Sequence, residues 1–254
     1  MDLKLFQLTG KNALVTGSRK GLGAGIALAL AQAGANVACH GRSSADDGII
    51  AKIQACGVQS FYVSGDVGDP AVCEGIFEGV LAQFGTVDIL VNNAGIIRRA
   101  PAVDYSLEDW NEIIAVNLTA VFRLSQLAAR HMMERGKGGK IVNIASLLSF
   151  QGGILVPAYA AAKAGVAQLT RAMANEWAIH NINVNAIAPG YMVTDNTAAL
   201  RSDATRSRQI LERIPAGRWG NPEDLAGAAI FLSSAASDYV HGHVLAVDGG
   251  WLGR

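Results

Sequence analysis

Two hydrophobic rhythms alternate along the chain. Short apolar runs rich in β-branched residues recur at 12–16, 36–40, 60–63, 88–92, 140–144, 183–188 and 244–247, and each reads as a strand. Longer stretches with helical periodicity lie between them, at 23–33, 46–56, 69–84, 106–135 (in one piece or two), 158–180 and 222–233. Strands that alternate with helices of this length pair in parallel and are joined by crossover helices. The expected architecture is therefore α/β: a doubly wound, seven-stranded parallel sheet with helices on both faces, in a single domain. Two helix starts are marked by their chemistry. Ser106-Leu107-Glu108-Asp109 has the form of a capping box, and Asn221-Pro222 offers an N-cap with proline at the first helical position.

No internal repeat, low-complexity tract or linker divides the chain. One segment departs from the pattern: residues 195–219 are polar and carry Arg201, Arg206, Arg208 and Arg213. Such a stretch inside a compact domain reads as a lid over a substrate, or else as a solvated pair of surface helices.

Composition narrows the function. Half of the 254 residues are hydrophobic, 17% are charged, and 21 basic side chains balance 21 acidic ones. A nucleic-acid partner would call for a basic excess that is missing. The three cysteines, Cys39, Cys56 and Cys73, form no C-x-x-C pair, so the expectation is no thiolate metal site and a reducing, cytoplasmic setting. Met1-Asp2-Leu3-Lys4 does not read as the start of a signal peptide. Residues 141–162 carry no charge over a length that would span a bilayer, but Asn143, Ser146, Ser149, Gln151, Gly152, Gly153 and Pro157 interrupt them. No membrane association is expected. The 29 glycines exceed the usual ~7% of residues, and they concentrate in telling places.

Thr16-Gly17-Ser18-Arg19-Lys20-Gly21-Leu22-Gly23 follows the first strand and opens the first helix. Glycines let the backbone approach a phosphate, and a helix amino terminus offers free N–H groups and a favourable dipole. In this strand–turn–helix context the motif points to a Rossmann-type dinucleotide site. The second strand leads into Gly41-Arg42-Ser43-Ser44. The acidic residue that would bind the ribose hydroxyls of NAD is missing, and Arg42 stands where an arginine accommodates the 2′-phosphate of NADP. Arg19 and Lys20 add charge beside it. NADP(H) is favoured, with NAD(H) open should Asp46 or Asp47 bend back. Asp66-Val67 falls at the adenine edge, and Asn92-Asn93-Ala94-Gly95 ends the fourth strand in a turn.

Tyr159 and Lys163 are four apart on a helix and share a face. A phenol is a weak base at neutral pH, and a neighbouring ammonium favours its ionised form. Ser146 follows the fifth strand, at the carboxyl edge where open α/β sheets bind ligands. Its hydroxyl is placed to hold a substrate oxygen as charge develops. Together with the glycine turn, Asn117, Pro189-Gly190 and Tyr159-Ala160-Ala161-Ala162-Lys163, this constellation resembles the short-chain dehydrogenase/reductase family over essentially the whole chain.

That resemblance implies a role for each residue. Tyr159 is the general acid/base; Lys163 binds the nicotinamide ribose and tunes Tyr159; Ser146 positions the substrate. Asn117 holds a water that links Lys163 to solvent, and Thr194 bonds the nicotinamide carboxamide. Gly17, Ser18, Arg19, Lys20, Gly21, Leu22, Gly23, Arg42, Asp66, Val67, Asn93, Ala94, Gly95, Pro189, Gly190 and Met192 complete the cofactor contacts. It also implies a homotetramer, packed through the helices at 106–135 and 158–180.

Gly95-Ile96-Ile97-Arg98-Arg99, Ser149-Phe150-Gln151-Gly152-Gly153, Ala216-Gly217-Arg218-Trp219-Gly220 and Gly249-Gly250-Trp251-Leu252 resemble the sugar-acid oxidoreductases of that family, including reductases of alginate-derived keto-uronates. A sugar acid needs a cation for its carboxylate, and the expected substrate residues are Arg98, Gln151 and Arg206, with Arg99 and the other arginines of 195–219 in reserve. Reduction of an acyl or steroid ketone, and non-catalytic sensing of NAD(P), are the competing readings. His241-Gly242-His243 lacks a third ligand, and no metal is expected.

Overall fold

The strands turn apolar residues to both faces of the sheet because both faces are covered. On β1 (Asn12–Val15), Ala13 and Val15 join one core while Leu14 joins the other. The first core holds Ile26 and Leu30 of α1 (Gly21–Gln32) and Leu232 of α9 (Ala226–Ser233). The second holds Phe77 and Val80 of α3 (Pro70–Phe84), Leu124 and Met132 of α5 (Ala120–Arg135), and Met173 of α6 (Pro157–Trp177). β4 (Ile89–Asn92) repeats the division, with Ile89 and Val91 on the first side and Leu90 on the second. Each such buried aliphatic side chain is worth about 1.5–3 kcal/mol of transfer free energy.

This arrangement comes from a computed structural model that describes residues 3–254; Met1 and Asp2, the first residues of the segment expected to carry no targeting signal, lie outside the described residues. The remaining strands are β2 (Asn36–Gly41), β3 (Ser60–Ser64), β5 (Gly139–Ile144), β6 (Ile182–Pro189) and β7 (Val244–Val247). Among the described residues the seven strands form one parallel sheet in the order β3-β2-β1-β4-β5-β6-β7. Chain order reverses between β1 and β4, so the crevice beyond their carboxyl ends is where a doubly wound sheet binds its ligand. The other helices are α2 (Ile49–Gln54), α4 (Leu107–Ile114), α7 (Ala198–Ser202) and α8 (Ala204–Arg213).

Helix starts follow local chemistry. Asp69 accepts from the Ala71 amide at 2.8 Å, with Pro70 at the first turn of α3, and Ser106 accepts from the Asp109 amide at 3.1 Å. Asp224 accepts from the Asn221 amide at 2.7 Å ahead of α9. The segment expected at 106–135 is continuous: α4 passes into α5 through a π turn, Ala115–Thr119, that carries Asn117. By length and composition this Leu107–Arg135 run would suffice to cross a membrane. Half of its most apolar window is buried, and Val121, Leu124, Ala128 and Met132 are core residues.

The polar interruptions of the uncharged stretch have structural partners. Asn92 donates to Ser125 Oγ and to Asn143 Oδ1, both at 2.9 Å, and Asn143 passes a hydrogen bond to Thr170 Oγ1 at 3.0 Å. This buried chain ties β4 and β5 to α5 and α6 directly behind the crevice.

Candidate active site

Three hollows meet at the carboxyl edge of the sheet. The central groove, about 450 Å³, runs from the glycine turn past the end of β4 to Tyr159, Lys163 and residues 193–196. A wider recess of about 930 Å³ continues over the ends of β2 and β3. The third, about 400 Å³, lies beyond Tyr159 under α8. Tyr159 lines both the central groove and the third hollow, as does Asn196.

The glycine turn is shaped by close contact. Gly17 has φ +63°, and a Cβ there would come within 2.8 Å of the Ala94 Cα; one on Gly23 would meet the Gly17 carbonyl at 2.3 Å. No side chain caps the start of α1, so Gly21, Leu22 and Gly23 present its first turn to the groove. Free amides at a helix start, a cradle that only glycine permits and a cleft of this length fit a phosphate-bearing dinucleotide. Asn93 braces the turn, donating to the carbonyls of Thr16 (2.9 Å) and Gly17 (3.0 Å).

At the outer recess Arg19, Arg42, Ser43, Asp66 and Val67 share one wall. Arg19 pairs with Asp47 at 3.2 Å and donates to Ser43 at 2.8 Å. Asp46 accepts from the Gly48 amide at 3.0 Å, and neither it nor Asp47 lines the recess. The buried Tyr62 hydroxyl has no partner, and it lies so close to Gly41 that a Cβ there would be 2.2 Å away.

Several expected contacts are redirected. The Ser18 hydroxyl is buried, donating to the Val15 carbonyl (2.7 Å) and accepting from the His40 amide (2.9 Å), so it holds the turn rather than a cofactor. Lys20 lines the outer recess together with Arg42, as expected, and also the central groove, where it pairs with Asp195. Met192 is buried and bridged to Gly220, leaving Val193 and Thr194 to line the groove. Pro189 and Gly190 lie on the third hollow. Arg98 faces the outer recess, paired with Glu112 (2.9 Å) and Asp109 (3.7 Å), because its side chain diverges from that of Arg99.

The Asn117 amide is spent on the protein: it accepts from the Ile96 amide (3.1 Å) and donates to the carbonyls of Ile96 and Ile113 (3.0 Å each). It clamps the strand-4 loop onto the π turn. Ala94 and Gly95 line the groove beside that clamp.

Ser149 Oγ donates to the Lys163 carbonyl at 2.6 Å and accepts from the Ser146 amide at 3.3 Å, docking the Ser146 turn on α6. Ser146 interacts with the Tyr159 phenol. Lys163 Nζ donates to the Ile144 carbonyl and lies 5.7 Å from the Tyr159 ring centroid. Burial lowers the Lys163 pKa to about 8. Burial also raises the Tyr159 phenol above its ordinary value, and the hydrogen bond with Ser146 and the charge of Arg99 offset this only in part. Lys163 does not produce the expected lowering: its ammonium is directed at a backbone carbonyl, and desolvation outweighs the charges nearby.

The third hollow is cationic. Arg99, Arg206 and Arg213 line it with Ser146 and Gln151. Arg99 donates to the Asn196 carbonyl at 2.9 Å. Arg213 stacks on Trp251, 4.0 Å from the ring, and Gln151 Oε1 accepts from Trp251 Nε1 at 3.2 Å. Trp251 and Asn196 join the site beyond the expected residues; Trp251 lies in the Gly249–Leu252 motif that carries the resemblance to sugar-acid oxidoreductases. Residues 195–219 fold as α7 and α8 over the site, α7 supplying Arg201 to the groove and α8 supplying Arg206 and Arg213 to the hollow. Among the described residues no cluster of metal ligands occurs, and His241 instead contacts Asn183 at 3.1 Å.

A doubly wound sheet with a Ser–Tyr–Lys constellation on its carboxyl edge defines a class, and the chain belongs to the short-chain dehydrogenase/reductase family: residues 17–252 match a family model described as enoyl-(acyl carrier protein) reductase. Its similarities narrow this further. It is 53% identical over 254 residues to 2-dehydro-3-deoxy-D-gluconate 5-dehydrogenase of Dickeya dadantii, covering 100% of both chains. It is 45% identical over 249 residues to 5-keto-D-gluconate 5-reductase of Escherichia coli, covering 98% of each. A crystal structure of gluconate 5-dehydrogenase from Burkholderia cenocepacia, in complex with NADP and tartrate, superposes with a TM-score of 0.95 at 42% identity, covering 99% of both chains.

Proposed function

We propose that the protein is an NADP-dependent oxidoreductase of keto-sugar acids, interconverting ketone and secondary alcohol on a 2-dehydro-3-deoxy-D-gluconate-type substrate. The observation that carries this reading is that Tyr159 forms the wall between a dinucleotide-shaped groove and a cavity lined by arginines. Full-length similarity to sugar-acid dehydrogenases supports the substrate class. Arg19, Arg42 and Ser43 around the outer recess, with no acidic residue at the end of β2, support NADP over NAD. An apolar acyl or steroid ketone would leave the arginines without a carboxylate partner, and a redox sensor has no use for a tyrosine–lysine pair facing the groove.

Bound in the groove, the dinucleotide supplies or accepts hydride at the substrate carbon. The chain provides the rest. The Ser146 hydroxyl holds the substrate oxygen, and Tyr159 gives that oxygen a proton in reduction and takes it back in oxidation. The raised phenol pKa keeps Tyr159 protonated at neutral pH, which suits reduction; oxidation needs the phenolate and accelerates with pH. Lys163 places its ammonium beside the phenol, and Gly17, Gly21, Gly23, Ala94, Gly95 and Thr194 bound the cofactor. Asn117 holds the floor of the groove. On the substrate side the carboxylate is met by Arg99, Arg206 or Arg213, with Gln151 ordering the wall, and residues 195–219 act as the lid.

The test is NADPH and NADH consumption with a panel of keto-sugar acids, neutral ketoses and apolar ketones. NADPH oxidation confined to the sugar acids is expected; turnover of apolar ketones alone would overturn the reading. A cytoplasmic homotetramer is part of the proposal, supported by Leu107, Trp110 and Phe122, which stand exposed on α4 and α5. Sedimentation velocity measures that state.

A further inference from the structure

The turn that cradles the phosphate is held from below by an imidazole. His40 is the fifth residue of β2 and is only 2% exposed. Its Nδ1 accepts a hydrogen bond from the Gly17 amide at 3.2 Å, and its Nε2 meets the Gly65 carbonyl at 3.1 Å. A carbonyl can only accept and an amide N–H can only donate, so both contacts are satisfied by one form of the ring: neutral, with the proton on Nε2. The backbone of the same residue completes the tie. Its carbonyl accepts from the Ser18 amide at 2.8 Å, and its amide donates to the Ser18 hydroxyl at 2.9 Å.

The ring therefore connects the glycine turn after β1 with the loop after β3, the two sides of the outer recess, and it lines that recess itself. Arg42 follows two residues later on the same strand end. The geometry of the pyrophosphate turn and the placement of the arginine are thus set by one residue. Gly17, at φ +63°, lies beyond the end of the strand ladder, and its amide takes the imidazole as its partner.

We propose that His40 is a positioning residue for the dinucleotide, holding the Gly17 turn through Nδ1 in its Nε2–H form, so that its loss weakens NADP(H) binding and leaves the chemical step intact. The inference rests on the cofactor reading above, and its test separates the two. NADPH binding to the cofactor-free protein is followed by nucleotide fluorescence, and steady-state KM and kcat are measured alongside.

His40→Leu is expected to raise the Kd and KM for NADPH by about tenfold while kcat at saturating cofactor changes by less than about threefold. His40→Asn, whose amide oxygen reaches the place of Nδ1, restores most of the affinity. His40→Gln, which reaches the place of Nε2, does not. Nitrogen NMR of the unaltered protein gives a readout free of folding effects, with unprotonated Nδ1 and protonated Nε2 expected at neutral pH.

Unchanged NADPH affinity in His40→Leu, a loss confined to kcat, better rescue by Gln than by Asn, or a proton on Nδ1 each overturns the inference. If the unaltered protein binds neither NADPH nor NADH, the proposed function fails and this inference with it.

Discussion

The groove and the arginine-lined hollow on either side of Tyr159 are built by different means. The groove is made of backbone. Its phosphate end is formed by the glycine turn and the strand-4 turn, where a Cβ on Gly17, Gly23 or Gly95 would collide with neighbouring atoms. The hollow is made of side chains from segments far apart in the chain: Arg99 after β4, Gln151 after β5, Arg206 and Arg213 on α8, and Trp251 in the carboxyl-terminal turn. A binding surface shared by many substrates can be fixed in backbone, whereas one that distinguishes substrates is left to residues that can change one at a time.

Substitutions on each side should therefore fail differently. The largest effect is expected at the shared wall: Tyr159→Phe lowers kcat by about 10³-fold or more, with NADPH affinity by fluorescence within about twofold of the unaltered protein. Retained turnover would break the assignment of the proton donor.

On the substrate side, Arg213→Ala raises KM for a keto-sugar acid by about 10–100-fold and leaves the KM for NADPH and the turnover of a neutral ketose unchanged, since one charge-assisted contact is lost. An equal loss for acid and neutral substrates would show that Arg213 serves the lid's fold instead. On the cofactor side, Arg42→Ser narrows the preference for NADPH over NADH by about tenfold, read from the two kcat/KM values. An unchanged ratio would put the discrimination elsewhere.

A smaller effect reports on the buried lysine. The folded pKa of Lys163 is lowered to about 8 from 10.5, so between those values the unfolded chain holds a proton that the folded protein has released. Stability attributable to this group therefore rises with pH across that window, by at most on the order of 3 kcal/mol. Urea midpoints of the unaltered protein minus those of Lys163→Met should show this slope, and a flat difference would mean that the ammonium is solvated.

The same contrast explains what could be seen beforehand. All seven strands lie within one or two residues of the expected positions, because a sheet buried on both faces needs unbroken apolar runs and those stand out against polar turns. The glycine turn and the Tyr159–Lys163 pair were legible because local spacing determines them. Arg98 was misplaced and Trp251 missed because neighbouring residues in an irregular loop point in unrelated directions. Met192 was likewise assigned to the groove that Val193 occupies. At Asn117 the residue stood out, but its bonding did not, since nothing local signals that a π turn would bring its amide onto the backbone of Ile96.

The ion pair between Lys20 and Asp195 has a consequence in time. It joins the glycine turn to the segment whose helices also carry Arg206 and Arg213. Both partners are exposed, so the pair breaks and re-forms as fast as surface side chains move and holds the two segments together only weakly.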